Sequence, residues 1–181
     1  MKDISDHNLL TLAQKGNREA ISRLMGRYER EIFYYVYKMT GNVEDAKDLT
    51  QDIFIKVFRK ISTFKGKSSF RTWVYRVATN HTLNFLSRRP PSGSDAFFSV
   101  LPDPSPSSPE RIERDELRRH LHKAIEILPP RQKAIVTLRV REELPYAEIA
   151  EILDCSVGNC KATFHNAITK LREILKNESV L

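Results

Sequence analysis

Apolar residues recur three and four positions apart along most of the chain, which is the spacing of one face of an α-helix. In the first half, this pattern predicts two helices within an apolar series that starts at Leu9 and is stopped at Gly41. It predicts a third helix from about Glu44, and a fourth that Ser69 caps and that continues to about Ser87. The first half therefore has the pattern of a helical bundle.

The second half continues the helical pattern. One helix is predicted to end at Leu128, before the pair Pro129 and Pro130, and the next helix follows that pair. Two more helices are predicted after Pro145. No segment alternates apolar and polar residues for long enough to predict a strand, so the predicted fold class is all-α.

A proline-rich interval separates the two halves. Six of the nine prolines lie between Pro90 and Pro109, with several serines among them. Proline has no amide donor and disfavours helix in the residue before it, so the interval is predicted to be an irregular linker. We therefore predict two small helical domains, a front module over residues 1–89 and a back module over residues 112–181, joined by a Pro/Ser-rich linker over residues 90–111.

Charge is distributed unevenly between these parts. The 181 residues include 30 Lys and Arg against 23 Asp and Glu, a net charge of +7. Residues 1–95 carry +7, residues 96–115 carry −2 and residues 116–181 carry +2. The positive front module makes an acidic macromolecule such as nucleic acid the leading partner class.

The sequence also argues against several classes of protein. It has no apolar run near the ~20 residues of a membrane span, and its first residues lack the apolar segment of a secretory signal. Two cysteines, Cys155 and Cys160, do not make a disulfide framework, which predicts a reducing cytoplasm. Because no Walker loop, dinucleotide-binding glycine pattern, nucleophile elbow or metal-ligand spacing is found, we predict no enzyme activity, no cofactor and no metal site.

The fourth predicted helix carries a polar stripe. Residues at intervals of four lie along one side of a helix, and here they are Thr72, Arg76, Asn80, Asn84 and Arg88. Amide side chains suit base edges, arginines suit phosphates, and the flanking aromatic residues Trp73 and Tyr75 suit stacking on unpaired bases. A solvated polar face is the simpler explanation for a single stripe. Nucleic-acid binding is favoured by the basic residues just upstream, which are Lys56, Arg59, Lys60, Lys65, Lys67 and Arg71.

The third predicted helix is acidic in its first half and basic in its second. This order matches the helix macrodipole, so stabilisation of the helix itself is a sufficient explanation. Alternatively, Asp48, Gln51 and Asp52 form an acidic patch, which would repel DNA and suit a basic protein partner. The residues alone leave both explanations open.

Residues 146–161 predict a helix-turn-helix. The turn falls at Asp154, Cys155 and Ser156, because aspartate tolerates a left-handed backbone and serine can cap the helix that follows. On that helix Cys160 faces the core, which leaves a mostly polar set exposed near the N-terminus: Asn159, Lys161, Ala162, Thr163, His165 and Asn166. This part of the motif enters the major groove of DNA, and a helical hairpin built for packing alone is the alternative.

Together these motifs resemble the extracytoplasmic-function (ECF) sigma factors of bacterial RNA polymerase. Residues 45–58 (DAKDLTQDIFIKVF) and 70–78 (FRTWVYRVA) are similar to the second conserved region of the family. Residues 128–132 (LPPRQ), 146–150 (YAEIA) and 155–158 (CSVG) are similar to its fourth region. The order of the two regions, with an irregular linker and no third domain between them, also matches.

The resemblance implies a promoter-specificity subunit that joins core RNA polymerase. By position, Asp48, Gln51 and Asp52 would meet the clamp helices of the largest catalytic subunit. The front module would bind and open the −10 promoter element through Lys56, Arg71, Tyr75, Arg76, Asn80, Asn84 and Arg88. The back module would read the −35 element as duplex through Asn159, Lys161, Ala162, Thr163, His165 and Asn166. An anti-sigma factor, often membrane-anchored in this family, is a further expected partner.

The back module departs from the family pattern at a few positions. Family members usually carry an aliphatic residue where Cys160 stands, and arginine or serine around Ala162, Thr163 and Asn166. Fewer arginines imply less bidentate reading of guanine in the −35 element. For Cys155 and Cys160 a buried, inert thiol is expected in preference to a sensor of oxidation.

Two other functions are compatible with the residues alone. A freestanding helix-turn-helix repressor, with the front module used for dimerisation or ligand sensing, predicts tight binding to a palindromic duplex. An adaptor for other proteins predicts no salt-sensitive DNA binding. Transcription with purified core polymerase separates a sigma factor from both.

Overall fold

A computed structural model of the chain describes residues 5–88 and 109–177. Over these residues the chain forms α-helices and a 3₁₀ turn (Ile61–Thr63) without any strand, which confirms the all-α prediction. The helices are, in chain order, α1 (Asp6–Gln14), α2 (Arg18–Thr40), α3 (Val43–Lys60), α4 (Phe70–Ser87), α5 (Pro109–Glu126), α6 (Pro130–Val140), α7 (Tyr146–Leu153) and α8 (Val157–Asn177).

Local signals in the sequence determine where the front-module helices begin and end. The Ser69 hydroxyl accepts a hydrogen bond from the Thr72 amide at 3.0 Å and so caps α4, as predicted. The Asn42 side chain accepts from two amides in the first turn of α3. α2 ends at Thr40, and the next residue, Gly41, has a left-handed φ of 70°, which favours glycine.

The front module buries the apolar faces of α2, α3 and α4 against one another. Ile32, Ile53 and Val74, one residue from each helix, are fully buried. The Tyr35 hydroxyl and the Thr79 hydroxyl lie 2.8 Å apart, so each of these buried polar groups has a partner. The tight core fixes the angular position of α4 and therefore which of its side chains reach the surface.

Most of the predicted linker falls outside the described residues. Its last three residues do not: α5 begins at Pro109, where proline is favoured because the first helical position needs no amide donor. The rest of the linker, and the domain boundaries that depend on it, stay predictions.

The back module contains the predicted helix-turn-helix. Asp154 follows α7 with a left-handed φ of 51°, and the Ser156 hydroxyl accepts from the Asn159 amide at 3.1 Å to start α8. Cys160, Ala167 and other apolar residues of α8 face inward, as predicted. The turn residues expected from the sequence are therefore confirmed.

The two modules pack against each other. α6 and α7 contact α2 and α4, and buried residues of both modules belong to one continuous apolar cluster. Tyr75 of α4, Leu138 of α6 and Ile149 of α7 are members of this cluster, and all three are fully buried. Helix α4, the predicted DNA-binding helix, therefore lies at the seam between the modules.

Candidate nucleic-acid interface

The C-terminal half of α4 presents the predicted polar stripe to solvent. Asn80, Asn84 and Arg88 are exposed and lie at intervals of four on one side of the helix. Buried residues such as Ala78 hold the other side in the core. The helix therefore offers two amides and a guanidinium in a row on its open side.

The N-terminal half of the same stripe is covered by the back module. Thr72 is 1% exposed and Tyr75 is 0% exposed, so neither is the surface residue that the sequence predicted. The reason is the packing of α7 against α4, which helical periodicity within the front module does not reveal. Trp73 is half-buried and packs with its ring centroid 5.1 Å from that of Phe64.

Glu142, in the loop before α7, contacts two of the predicted DNA-binding side chains. The Tyr75 hydroxyl donates a hydrogen bond to the Glu142 carboxylate, and Arg71 Nη2 lies 3.5 Å from Glu142 Oε2. The Glu142 side chain is only 15% exposed, so this carboxylate is poorly screened by water. Burial first, and then Glu142, raise the pKa of Tyr75, which keeps the phenol protonated.

Arg71 is held from its own module as well. Its Nε donates to Glu31 Oε2 of α2 at 3.3 Å, and its guanidinium lies 5.2 Å from the centre of the Tyr75 ring. These contacts hold the guanidinium of Arg71 in one orientation. The rigid, planar fork of N–H donors that binds carboxylates also matches the geometry of a phosphate.

Two further contacts cross the seam. The Thr72 hydroxyl donates to Glu148 Oε2 of α7 at 2.6 Å. Arg76 Nη2 lies 3.7 Å from Asp154 Oδ1, in an exposed pair whose Asp154 side chain is 89% accessible. The first contact is shielded by packing, whereas the second is a surface ion pair of small energetic value.

Lys56, predicted to contact DNA, is engaged within the front module. Its Nζ lies 2.5 Å from Nδ1 of His81 on α4. Burial, and then the charge of Lys56, lower the pKa of His81, so its ring is neutral near pH 7 and Nδ1 accepts from the ammonium. His81 Nε2 faces Asp52 Oδ2 at 3.6 Å.

The acidic patch lies on α3 and is open to solvent. Asp48, Gln51 and Asp52 are all exposed in the structure. Beside them a cleft of about 1050 Å³ runs between α2 and α3, with the apolar side chains of Phe54, Ile55 and Phe58 in its lining. A surface that combines carboxylates with exposed apolar area is typical of a protein contact.

The predicted recognition helix exposes the expected residues. Of the set on α8, Thr163 is half-buried, and the others are exposed: Asn159, Lys161, Ala162, His165 and Asn166. The Thr163 hydroxyl donates to Asn159 Oδ1 at 3.1 Å, which orders the first turn of this surface.

The helix-turn-helix is braced from α6. Arg131 Nη2 donates to the Leu153 carbonyl at the end of α7 at 2.7 Å, and the Tyr146 ring lies edge-on to Phe164 with centroids 5.8 Å apart. The first contact fixes α7 relative to α6, and the second fixes α7 relative to α8.

Both cysteines are free thiols, with Cys155 half-buried and Cys160 buried. Burial, followed by the neighbouring Cys155, raises the pKa of the Cys160 thiol, which makes it a poorer nucleophile.

Within residues 5–88 and 109–177, no cluster of three or more His, Cys, Asp or Glu side chains is arranged to hold a metal ion. In the same part of the chain, no helix is both long and apolar enough to cross a membrane.

No sequence pattern points to Glu31, Glu142 or Glu148. Their partners on α4 are 40 to 76 residues away in the chain. Each glutamate lies in an ordinary helical or loop context, so only the packing of the elements identifies it.

Comparison with known proteins places both modules in one family. Residues 24–90 match the family model described as Sigma-70 region 2, and residues 118–171 match that described as Sigma-70, region 4. The chain is 34% identical over 187 residues to the ECF RNA polymerase sigma-E factor of Escherichia coli (strain K12), covering 98% of this chain and 95% of that protein. It is 34% identical over 174 residues to the RNA polymerase sigma-H factor of Pseudomonas aeruginosa, covering 90% and 89%.

Two solved structures share the fold. One is CnrH in complex with the cytosolic domain of CnrY, with a TM-score of 0.72 and 21% identity, covering 95% of this chain and 97% of that one. The other is the sigma factor RpoE in complex with the anti-sigma factor NepR from Bartonella quintana, with a TM-score of 0.65 and 21% identity, covering 86% and 96%.

The matched regions and the helix-turn-helix define a two-module promoter-recognition subunit of bacterial transcription. With 34% identity over 98% of its length to a sigma-E factor, the chain belongs to the ECF sigma factors. It therefore joins core RNA polymerase and directs promoter-specific initiation, and it is not an enzyme. The resemblance inferred from the sequence is confirmed, which sets aside the repressor and adaptor alternatives.

Proposed function

We propose that α4 binds and opens the −10 element and that α8 reads the −35 element. The observation that carries this proposal is the exposed row Asn80, Asn84 and Arg88, on the open side of a helix in the module that holds the excess positive charge. Unpairing costs a few kcal/mol per base, and contacts to base edges and phosphates offset that cost. Lys56, Arg71 and Arg76 extend the proposed −10 surface. Tyr75, which the sequence also assigns to it, is 0% exposed beneath the packed back module.

In the back module the exposed start of α8 is proposed to enter the major groove. Asn159, Lys161, Ala162, Thr163, His165 and Asn166 form this surface. The set has one lysine and no arginine, so the proposed reading relies on amide, hydroxyl and imidazole contacts more than on bidentate arginine–guanine pairs.

Asp48, Gln51 and Asp52 are proposed to bind the clamp helices of the largest polymerase subunit. Their exposure on α3 supports a protein partner because carboxylates repel DNA. Ile55 and Phe58, in the adjacent cleft, add apolar area to the same surface.

An anti-sigma factor is proposed as a further partner, and the cytoplasm as the compartment. The support for the partner is that RpoE of Bartonella quintana, which shares the fold, is in complex with the anti-sigma factor NepR. The support for the compartment is the function itself, since RNA polymerase works on cytoplasmic DNA.

Promoter opening by reconstituted holoenzyme tests the −10 assignment. N80A/N84A is compared with N8A/N177A, which removes two exposed helical asparagines elsewhere. We expect opening, measured by permanganate reactivity of unpaired thymines, to fall about tenfold or more in N80A/N84A, because a good base contact is worth ~1–3 kcal/mol. Association with core polymerase should be unchanged. Equal opening by the two variants overturns the assignment.

A further inference from the structure

Asp52 and Lys56 lie four residues apart on α3, on the same side of the helix. A carboxylate four residues before a lysine is the favoured arrangement for a direct ion pair. In the described part of the chain these two side chains do not pair with each other, and each contacts the imidazole of His81 on α4 instead. Lys56 Nζ lies 2.5 Å from His81 Nδ1, and Asp52 Oδ2 lies 3.6 Å from His81 Nε2. The histidine therefore takes the place of the ion pair that the spacing favours.

The two charged neighbours determine which nitrogen of the neutral ring carries the proton. An ammonium only donates hydrogen bonds, so Nδ1 accepts from Lys56 and carries no proton. The proton is therefore on Nε2, which faces the carboxylate of Asp52. At 3.6 Å this second contact is longer than a hydrogen bond, so Asp52 is attracted to the N–H but is not held by it. The ring satisfies the lysine and leaves the aspartate free to bind elsewhere.

A neutral acceptor holds an ammonium in place without cancelling its charge. The His81 side chain is 19% exposed and comes from a helix packed on α3, so it is a firm support for the lysine. Lys56 keeps two further N–H donors for another acceptor, such as a phosphate. The Asp52 side chain is 63% exposed, so its carboxylate stays open on the acidic patch. A direct pair between Asp52 and Lys56 would weaken the attraction of both groups for any other partner.

We propose that His81 is a positioning residue, a neutral spacer that keeps Asp52 and Lys56 from pairing with each other. The charge of Lys56 is thereby available to a phosphate of the −10 element, and the charge of Asp52 is available to core polymerase. This inference rests on the proposed function, which assigns Lys56 to the −10 surface and Asp52 to the polymerase surface. His81 acts only through these two side chains and needs no contact of its own with DNA or polymerase.

The test compares H81L, which fills the space of the ring but has no acceptor, with H81Q, which stays neutral and keeps both an acceptor and a donor. H7L, which replaces an exposed histidine of α1, is the control, and circular dichroism checks that all variants fold.

Two affinities are measured. Fluorescence anisotropy of the labelled chain gives its affinity for core polymerase. Mobility shift gives the affinity of holoenzyme for a labelled genomic fragment from which the wild-type holoenzyme starts transcription. The chain is in excess in the second measurement, so that differences in assembly do not enter.

We expect H81L to lower each affinity about twofold, which is the effect of one direct pair at this spacing on an exposed helix face. H81Q should keep most of both affinities, and H7L should keep all of them. On the K56M background, H81L should change neither affinity, because the lysine through which it acts is gone. On the D52N background, H81L should leave the affinity for DNA unchanged. A merely structural role of His81 would lower both affinities on every background.

Failure of the spacer and failure of the −10 assignment give different results. Equal affinities of the wild type and H81L for either partner overturn the inference, as does a loss in H81L that persists with K56M or D52N. If K56M by itself still lowers the affinity for DNA in those cases, Lys56 keeps its place in the −10 surface. If K56M leaves the affinity for DNA unchanged, Lys56 does not contact the promoter, and the inference falls together with that part of the proposed function.

Discussion

The ammonium of Lys56 lies 2.5 Å from Nδ1 of His81, and this contact links α3 to α4 inside the front module. The neutral histidine accepts from the lysine, and on its other side it faces Asp52 at 3.6 Å. One imidazole therefore lies between a residue of the proposed −10 surface and a residue of the acidic patch.

The lowered pKa of His81 predicts a loss of stability in acid. The unfolded chain takes up a proton as the pH falls below the ordinary histidine pKa of ~6.5, whereas the folded chain does so only at lower pH. Stability contributed by neutral His81 is thus present above that value and declines below it. In urea unfolding, the free energy of the wild type relative to H81Q should fall between about pH 7.5 and pH 5.5.

K56M tests the physical cause of this effect. Without the ammonium beside it, His81 should be protonated more readily in the folded state, so the pH dependence should become smaller. A difference between the wild type and H81Q that stays constant across the pH range contradicts the prediction.

Two isoleucines on α3 provide a matched test of the front-module core. Ile53 is fully buried, whereas Ile55, two residues later, is 43% exposed. I53A should lower the free energy of unfolding by about 2–5 kcal/mol through lost burial and a cavity. I55A should change it by about 0.5 kcal/mol or less. Chemical denaturation measures both, and a similar loss in the two variants would show that α3 is rotated from its described position.

Assembly with core polymerase tests the acidic patch. D48K/D52K should weaken binding of the chain to core polymerase about tenfold or more, because charge reversal replaces attraction by repulsion at a basic partner. E143K/E173K makes the same charge change at two exposed glutamates of the back module and is the control. Fluorescence anisotropy of labelled sigma with purified core measures the affinity. Unaltered binding of D48K/D52K excludes this surface.

Salt dependence tests the recognition helix. If Lys161 contacts a phosphate, K161A should lower the slope of log affinity against log salt by about 0.9 for holoenzyme on a duplex that carries the −35 element. K176A, in the last turn of the same helix, should leave the slope unchanged. An identical slope for the wild type and K161A removes Lys161 from the proposed surface.

The sequence predicts the helices well because helix signals are local. Ser69, Asp154 and Ser156 act on residues within a few positions, so the start of α4 and the turn before α8 can be inferred without tertiary information. The exposed row on α4 and the exposed start of α8 follow from the same periodicity.

The packing of one module on the other is not encoded in any local pattern. Tyr75 donates to Glu142, which lies 67 positions further along the chain, and helical periodicity does not specify which face meets which. For this reason Tyr75 was predicted at the surface and is buried in the structure, and the glutamates that cover α4 were not found. Charge counts did not help, because the back module is weakly basic overall.

Run-off transcription with purified, sigma-free bacterial core polymerase on fragments of genomic DNA tests whether the chain selects promoters. We expect the wild-type chain to direct RNA synthesis from defined start sites, and N80A/N84A to reduce this synthesis while still joining core polymerase. If the folded chain binds core polymerase and yet directs initiation from no fragment, the account of two helical modules that together select a promoter is contradicted.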